Sequence, residues 1–436
     1  MAALNVSGEI RAPGDKSISH RALMLSAVSS GRSRITGILD AADVRSTAGV
    51  LRQLGVGIPM LGPELTIDGV GTRGLLNPRE PLDCGNSGTT ARLMAGVVAG
   101  AAVTARFVGD ASLSRRPMRR VARPLEAMGA AVEFEGSDGL PMTVRGAPLR
   151  GIEWVSDVAS AQLKSSILLA GAVAGVGVAV REPGASRDHT ERMLAARGAS
   201  VEFGPGYARL RAAPRLEPCD VDVPADPSSA AFFAALAALA AGGQIVLRDV
   251  GVNPTRTGFF GALREMGPVV EVVDERQQSG EPTADIVARP GPLRAITIGA
   301  DRVPSLIDEI PLVACVASRA RGESRITGAA ELRVKESDRI AAVIANLRAV
   351  GVEAHELPDG MVVVGSDEPL SGRVVTHGDH RLAMAFAVLG AATGGQISVD
   401  DPACVDVSYP DFWRDLGRVT GTGGPARRSE TRAVRG

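Results

Sequence analysis

Pro13-Gly14-Asp15-Lys16-Ser17-Ile18-Ser19-His20-Arg21 joins a strand-like lead, Val6 to Ala12, to an apolar helical run from Ile18 to Val28. The first backbone N–H groups of such a helix have no intrahelical partner, and Ser17 or Ser19 is placed to cap them. A lysine just before the helix and an arginine one turn on make that end a site for a phosphate or carboxylate. Alone, the stretch also reads as an ordinary capped helix with two solvated cations. Its repetition along the chain separates the two readings.

The design recurs as a polar or charged lead, a helix of small apolar residues, a Gly-containing break and a β-rich run. Units begin near Ser17, Ser87, Ser160, Ser228, Asp308 and His380, a period of roughly seventy residues. The run after the break is Ser33-Arg-Ile-Thr-Gly37 in the first unit and Ser324-Arg-Ile-Thr-Gly328 in the fifth. Most units add a second helix ending in Gly55, Gly129, Gly198, Gly267 or Gly351, where glycine suits the left-handed position after a helix. The strand that follows alternates, as in Ala130 to Glu135, which suits a sheet with one wet face. Six two-helix units predict an α/β (α+β) fold of two three-unit domains. The Pro/Asp-rich segment Val221 to Pro227 is the natural crossover. The tail from Thr420 to Gly436 has almost no apolar periodicity and reads as disordered.

At 436 residues two domains are expected. Hydrophobic content of 45%, charged content of 22% and a net charge of −1 describe a soluble globular chain. There is no overall field to draw it to nucleic acid or an anionic membrane. No signal peptide is expected from Met1-Ala-Ala-Leu-Asn-Val, and no apolar run is long enough to span a bilayer. Cys84, Cys219, Cys315 and Cys404 are far apart and lack metal-ligand spacing. They argue against zinc and a disulfide framework, and for a reducing cytoplasm. No Walker or dinucleotide fingerprint is present, so neither a metal nor another cofactor is expected. Only Lys16, Lys164 and Lys335 are lysine among 48 cationic side chains. A lysine kept against that bias marks a place for a compact ammonium whose pKa can shift.

Several units add chemistry at their helix starts. Gly85-Asn86-Ser87-Gly88-Thr89-Thr90 offers backbone N–H groups and hydroxyls to an anion, though it also reads as a capped turn. Arg115, Arg116, Arg119, Arg120 and Arg123 crowd like charges four apart on a helix, a merely solvated basic face unless an anion or carboxylates neutralise it. Ser160-Ala161-Gln162-Leu163-Lys164 is a polar helix start, weak by itself. Asp188 with Glu191 reads as a capping box, which leaves Arg187 unexplained. Of Asp308 and Glu309, one is expected to cap the helix that follows, leaving the other for chemistry. Lys335 and Arg339 lie four apart on one face and Glu336 can meet Arg339, so an acid sits between cations beside an anion site, an arrangement that suits proton transfer. Asp379-His380-Arg381 opens the sixth unit. Helix starts from two domains facing across a cleft would enclose two small anionic molecules.

These motifs, in this order, resemble the 5-enolpyruvylshikimate-3-phosphate (EPSP) synthase family along nearly the whole chain, to about Gly417. They are Pro-Gly-Asp-Lys16-Ser17-Ile-Ser-His-Arg21, Gly-Asn86-Ser-Gly88-Thr89, Arg116-Pro, Ser160-Ala-Gln162, Arg333-Val-Lys335-Glu336-Ser-Asp-Arg339 and Asp-His380-Arg381. The resemblance implies a two-domain enolpyruvyl transferase fold, each domain three βαβαββ repeats in an inside-out α/β barrel. It implies domains at 15–224 and at 1–14 with 225–419, the chain crossing twice, and a monomer. The implied reaction moves the enolpyruvyl group of phosphoenolpyruvate to the 5-hydroxyl of shikimate 3-phosphate and releases phosphate, a step of the shikimate pathway towards chorismate and aromatic amino acids.

By that resemblance Lys16, Ser17, Arg21, Ser160, Ala161, Gln162, Arg187, Asp308 and Lys335 hold shikimate 3-phosphate. Lys16, Gly88, Arg116, Gln162, Arg339 and Arg381 hold phosphoenolpyruvate, with Thr89 in the nearby wall. Asp308, Glu336 and Lys16 are the implied catalytic groups. Val407 stands where some members place a phosphoenolpyruvate-binding lysine. Gly-Asp-Lys-Ser, Ser-Ala-Gln-Leu-Lys164, Arg187-Asp-His-Thr-Glu and Asn253-Pro-Thr-Arg256 look like the glyphosate-tolerant class II, yet Gly88 stands where tolerant members often have alanine. A UDP-N-acetylglucosamine enolpyruvyl transferase would need a cysteine where this chain has Ala111 to Arg116, and Lys-Asn in place of Lys16-Ser17. A non-catalytic anion-binding scaffold would not need Asp308, Glu336 and Lys16 together.

Overall fold

The computed structural model describes residues 4–212 and 215–421. Among the described residues the strands form six separate sheets, which stay open and do not close into a barrel. In the second unit Leu82–Asp83 pairs parallel with Thr104–Val108, and Met142–Arg145 and Ala131–Phe134 add antiparallel strands. A parallel pair needs a crossover, here supplied by the buried helix Gly88–Gly100. The same strand order recurs in the third and fifth units around the helices Ala161–Ala174 and Ile310–Ala317.

Two sheets take their first strand from elsewhere in the chain. Asn5–Ile10 pairs parallel with Gly242–Gly251, and Val221–Asp222 pairs parallel with Ser30–Thr36. The lead strand therefore belongs with the fourth unit, while the segment read as a crossover completes the first unit before the chain leaves it. Buried apolar residues fall into two cores, one running from Ile18 to Val223 and one joining Val6, Ile10 and Ala12 to residues from Ala225 onward.

The first core is built on the helices Lys16–Val28, Gly88–Gly100 and Ala161–Ala174, each buried on nearly every face. Small residues permit the close contact: a Cβ on Gly96 would lie 2.2 Å from the Ser166 carbonyl oxygen of the neighbouring helix. The second core uses Pro227–Leu239, Ile310–Ala317 and His380–Ala392 in the same way. The outer helix Arg119–Met128 closes at Gly129 with φ 114°, the left-handed position expected there.

Several local expectations are corrected. Asp15, not Ser17 or Ser19, caps the first inner helix by accepting from Ile18 N at 2.8 Å. Ser19 Oγ instead accepts from Leu39 N. Glu309 occupies the N-cap position of the fifth inner helix, but neither its side chain nor that of Asp308 accepts a capping bond; both residues lie in a 3-10 turn that runs directly into the helix. The arginine-rich stretch is not one helix: Ala111–Ser114 ends before Arg115 and a new helix begins at Arg119, so Arg116 and Arg120 are not stacked. Lys335 precedes the helix Arg339–Ala349, whose cap is Asp338, so it shares no helical face with Arg339. The Asp188–Glu191 capping box does not form; Asp188 accepts from Asn253 Nδ2 at 2.6 Å and Glu191 pairs with Lys164. The last helix runs through Thr420, and the tail read as disordered otherwise lies, from residue 422, outside the described residues.

The two passages between the cores run side by side. Asp15 N donates to Pro224 O at 2.7 Å and Asp226 N donates to Pro13 O at 2.8 Å. The buried Arg256 guanidinium donates to Asp15 Oδ2 at 2.9 Å, Asp226 Oδ1 at 3.1 Å and Ser228 Oγ at 2.9 Å. Removing one partner of a buried charge cluster leaves the others uncompensated. Arg256→Met is therefore expected to destabilise the protein by about 3–5 kcal/mol. Thermal unfolding followed by circular dichroism checks this, and an unchanged midpoint would contradict the clamp.

Candidate active site

Between the two cores lies a cleft of about 480 Å³, lined by the starts of the inner helices and the loops beside them. Five of those helices are capped by side chains, of Asp15, Ser87, Ser160, Asp226 and Asp379. Their free N–H groups and positive dipole ends favour anions. Lys16, Ser17, Arg21, Gly88, Thr89, Arg116, Ser160, Ala161, Gln162, Arg187, Asp308, Lys335, Glu336 and Arg381 all line the cleft, as the sequence suggested. Arg339 does not. It lies beneath the lining, 1% exposed, with its fork on Asp379 at 2.8 and 3.2 Å. Val407 is likewise absent from the lining.

One wall gathers groups from the first core. Arg21 is buried and donates to Thr190 Oγ1 at 2.7 Å, Ser165 Oγ at 2.8 Å and Ser17 O at 2.9 Å. Burial pulls its pKa down to about 10. Lys16 Nζ pairs with Asp43 Oδ2 at 2.9 Å. Gln162 accepts from Arg92 Nη1 at 2.6 Å and donates to Thr89 Oγ1 at 3.1 Å. Arg116 donates to Asn86 Oδ1 at 2.6 Å, which aims its guanidinium at the turn before Gly88.

The opposite wall carries the acids. Asp308 bonds to Arg187 across the cleft and lies 3.4 Å from Arg339, 3.9 Å from Lys335 and 3.9 Å from Arg381. Glu336 pairs with Arg339 at 2.7 Å and reaches Arg116 of the other wall at 3.6 Å. The side chains of Asp308 and Glu336 keep 14% and 26% of their surface open to the cleft. Enclosure alone would push the Asp308 carboxyl up, but Arg381, Arg187, Lys335 and Arg339 outweigh it and hold it well below the usual range. Glu336 is held down likewise, against its own desolvation, chiefly by Arg339 and Arg116, with Lys16 adding to them. Burial pushes the Lys335 ammonium below its ordinary value, with Asp308 and Glu336 opposing. Burial, then Lys16, depresses His380 to about 4, so its ring is neutral at pH 7.

Several functional neighbours escaped the sequence reading. Arg92 lines the cleft with its pKa drawn down to about 9 by burial and by Arg120 and Arg116. It lies two residues past the Gly85 to Thr90 motif, and nothing local marked it. Arg120 pairs with Glu331 of the opposite wall at 3.0 Å, and Asp43 holds Lys16 from a separate helix. Lys164, singled out by the scarcity of lysine, lies outside the cleft between Glu182 and Glu191.

Residues 2–416 match the family model described as EPSP synthase (3-phosphoshikimate 1-carboxyvinyltransferase). The chain belongs to the EPSP synthase family. A 3-phosphoshikimate 1-carboxyvinyltransferase from Xanthomonas axonopodis pv. citri is 48% identical over 409 residues, 93% of each chain. One from Sulfurihydrogenibium sp. is 48% identical over 421 residues, 95% of this chain and 97% of its own. An EPSP synthase structure from Acinetobacter baumannii superposes with a TM-score of 0.85 at 40% identity, covering 96% of both chains. The enolpyruvyl transferase NikO from Streptomyces tendae shares the fold alone, with a TM-score of 0.74 at 20% identity over 96% of each chain. The fold is thus the two-domain enolpyruvyl transferase fold. The chain is an EPSP synthase family enzyme of the shikimate pathway, with phosphoenolpyruvate and shikimate 3-phosphate as its small-molecule substrates. No helix among the described residues is long and apolar enough to cross a membrane.

Carboxylates with depressed folded values stabilise the protein above their unfolded pKa of about 4, and that contribution is lost as pH falls through the lower folded value. In the substrate-free enzyme the carboxyl carbon shifts of Asp308 and Glu336, read by NMR, are expected to stay flat from about pH 8 to about pH 5. A titration of either within that window would contradict the ion pairing described here.

Proposed function

We propose that the residues of the two walls divide the reaction between them. Ser17, Arg21, Ser160, Ala161, Gln162, Arg187 and Lys335 hold shikimate 3-phosphate, and Lys16, Gly88, Arg116, Gln162 and Arg381 hold phosphoenolpyruvate, with Arg339 supporting them from below. The observation carrying this reading is the meeting of Asp308 and Glu336 with cations of the opposite wall. The two carboxylates occupy the places of the substrates' anionic groups. When the phosphate of shikimate 3-phosphate takes Arg187, Asp308 loses a counter-ion and becomes a better base for the 5-hydroxyl. When phosphoenolpyruvate takes Arg116, Glu336 becomes easier to protonate and can serve the methylene carbon together with Lys16.

Protonation of that carbon develops positive charge at its neighbour, which the carboxylates stabilise while the hydroxyl attacks. The tetrahedral intermediate then expels phosphate into the ring of Lys and Arg side chains while its methyl group gives one proton back to Glu336, which restores the carbon–carbon double bond of the enolpyruvyl product. Closure of the cleft excludes the water that would otherwise capture the cation. The two cores correspond in this reading to domains at 15–224 and at 1–14 with 225–419, in a cytoplasmic monomer.

Phosphate release with both substrates, without added metal, tests the assignment. Glu336→Gln is expected to lower kcat by about 10²–10⁴-fold while the KM values move little. Survival of full turnover would assign the proton step to another group, and wild-type chain without turnover would favour an anion-binding scaffold.

We further place the chain with the glyphosate-tolerant class II on its Ser-Ala-Gln-Leu-Lys164, Arg187-Asp-His-Thr-Glu and Asn253-Pro-Thr-Arg256 motifs, with tolerance limited by Gly88. A Cβ on Gly88 would lie 3.0 Å from Arg92 Nη1 and 3.6 Å from Arg116 Nη1, inside the anion cradle. Gly88→Ala is expected to raise the glyphosate inhibition constant by about tenfold or more, with a smaller rise in KM for phosphoenolpyruvate. An inhibition constant left unchanged by Gly88→Ala would count against this placement.

A further inference from the structure

Lys164 is 2% exposed and does not reach the cleft. Its ammonium lies 2.8 Å from Glu191 Oε1 and 3.2 Å from Glu182 Oε2, and donates to Ser186 O at 3.4 Å. The two carboxylates are themselves buried, Glu191 completely. Glu182 follows the strand Val178–Arg181 and so opens the loop that carries Ser186 and Arg187. Its Oε1 accepts from Ser160 N at 2.7 Å and its Oε2 from Ser186 Oγ at 2.6 Å. Glu191 belongs to the helix His189–Ala195 on the far side of Arg187.

The next residues along each helix extend the same joint. Ser165 Oγ accepts from Thr190 Oγ1 at 2.7 Å and from Arg21 Nη2 at 2.8 Å, and Arg21 Nε donates to Thr190 Oγ1. Lys164 thus fastens the start of one helix, both ends of the Arg187 loop and the helix beyond it. A buried lysine serving only the core would need one acid; here it takes two, and one of them also grips the backbone of Ser160.

We propose that Lys164, acting through Glu182 and Glu191, is the positioning residue of the shikimate 3-phosphate half of the site. It fixes Arg187 and Ser160 relative to Arg21 before the substrate arrives. The inference rests on the reading of Ser160, Gln162 and Arg187 as ligands of that substrate. It accounts for a lysine retained at this place in a chain that uses arginine nearly everywhere else: a compact ammonium can serve two carboxylates and a carbonyl within a space that a planar fork would not fit.

The test compares steady-state kinetics, varying each substrate in turn, for Lys164→Met, Lys164→Met/Glu191→Leu and Arg187→Gln. Lys164→Met strands two buried acids and can cost the fold. The double variant removes one of the two stranded acids and leaves Glu182 with its bonds from Ser160 N and Ser186 Oγ, and circular dichroism verifies its folding. Both Lys164 variants are expected to raise KM for shikimate 3-phosphate by about tenfold, with kcat and KM for phosphoenolpyruvate within about threefold of wild type. A folded double variant with unchanged KM for shikimate 3-phosphate, while Arg187→Gln raises it, overturns the inference and leaves the ligand assignment standing. A joint rise in both KM values with a fall in kcat overturns it too, since that is general loosening. An Arg187→Gln enzyme with unchanged KM for shikimate 3-phosphate overturns the ligand assignment, and the inference with it.

Discussion

Arg256 carries its charge in a buried position between Asp15 and Asp226, and those carboxylates cap the helices that begin where the chain passes between the cores. The passages are short and bonded to one another through their backbones. Each carboxylate therefore serves twice, once for a helix start and once for the guanidinium, and Asp226 also accepts from Lys16 N at 3.0 Å. Burial alone would make Asp15 a poor ion; Arg256, with His189 behind it, keeps it ionised. The site depends on this arrangement because Lys16 is the first residue past one passage. Its ammonium has a fixed origin only while the clamp holds.

Charge is the second constraint. A closed cleft holding this many arginine and lysine side chains would repel itself apart without anions, and in the absence of substrate the protein supplies them. Asp308 answers Arg187 and Arg381, and Glu336 answers Arg116 and Arg339. Arg339 stays below the surface with its fork fixed on Asp379, so its charge reaches both acids without taking part in the exchange. In the proposed reaction, substrate anions replace internal carboxylates rather than entering an uncompensated field. On this account, binding and activation are one event: the displaced carboxylates recover the basicity that their pairs had suppressed.

The six-fold repetition was legible because it is periodic, and the period survives in short apolar runs whatever their partners. The motif residues at the inner helix starts were legible because a polar start before a small-residue helix is a local pattern. Three kinds of information were not. The first cap was misplaced by two to four residues because Asp15, Ser17 and Ser19 are all competent and only the path of the chain chooses among them. Ion pairs between distant elements, Lys16 with Asp43 or Arg120 with Glu331, leave no trace in spacing. The break after Ser114 was hidden because Arg115 to Met118 has no residue that forbids a helix except Pro117, and proline is tolerated near a helix start. Lys164 was noticed through composition, and composition says nothing about which side of a wall a residue occupies.

The fifth inner helix shows how capping and chemistry compete for the same group. Asp15, Ser87, Ser160, Asp226 and Asp379 each spend a side-chain oxygen on their own backbone. Asp308 spends none. A 3-10 turn at Ile307–Glu309 leads into the helix, with Pro311 near its first turn needing no partner for an N–H it lacks. With the helix end satisfied in this way, both oxygens of Asp308 remain for Arg187, Arg339, Lys335 and Arg381. An acid already accepting from the backbone would be held ionised by a bond that no substrate can displace. The one inner helix without a side-chain cap is therefore the one whose acid, in the proposed reaction, changes its basicity when substrate arrives.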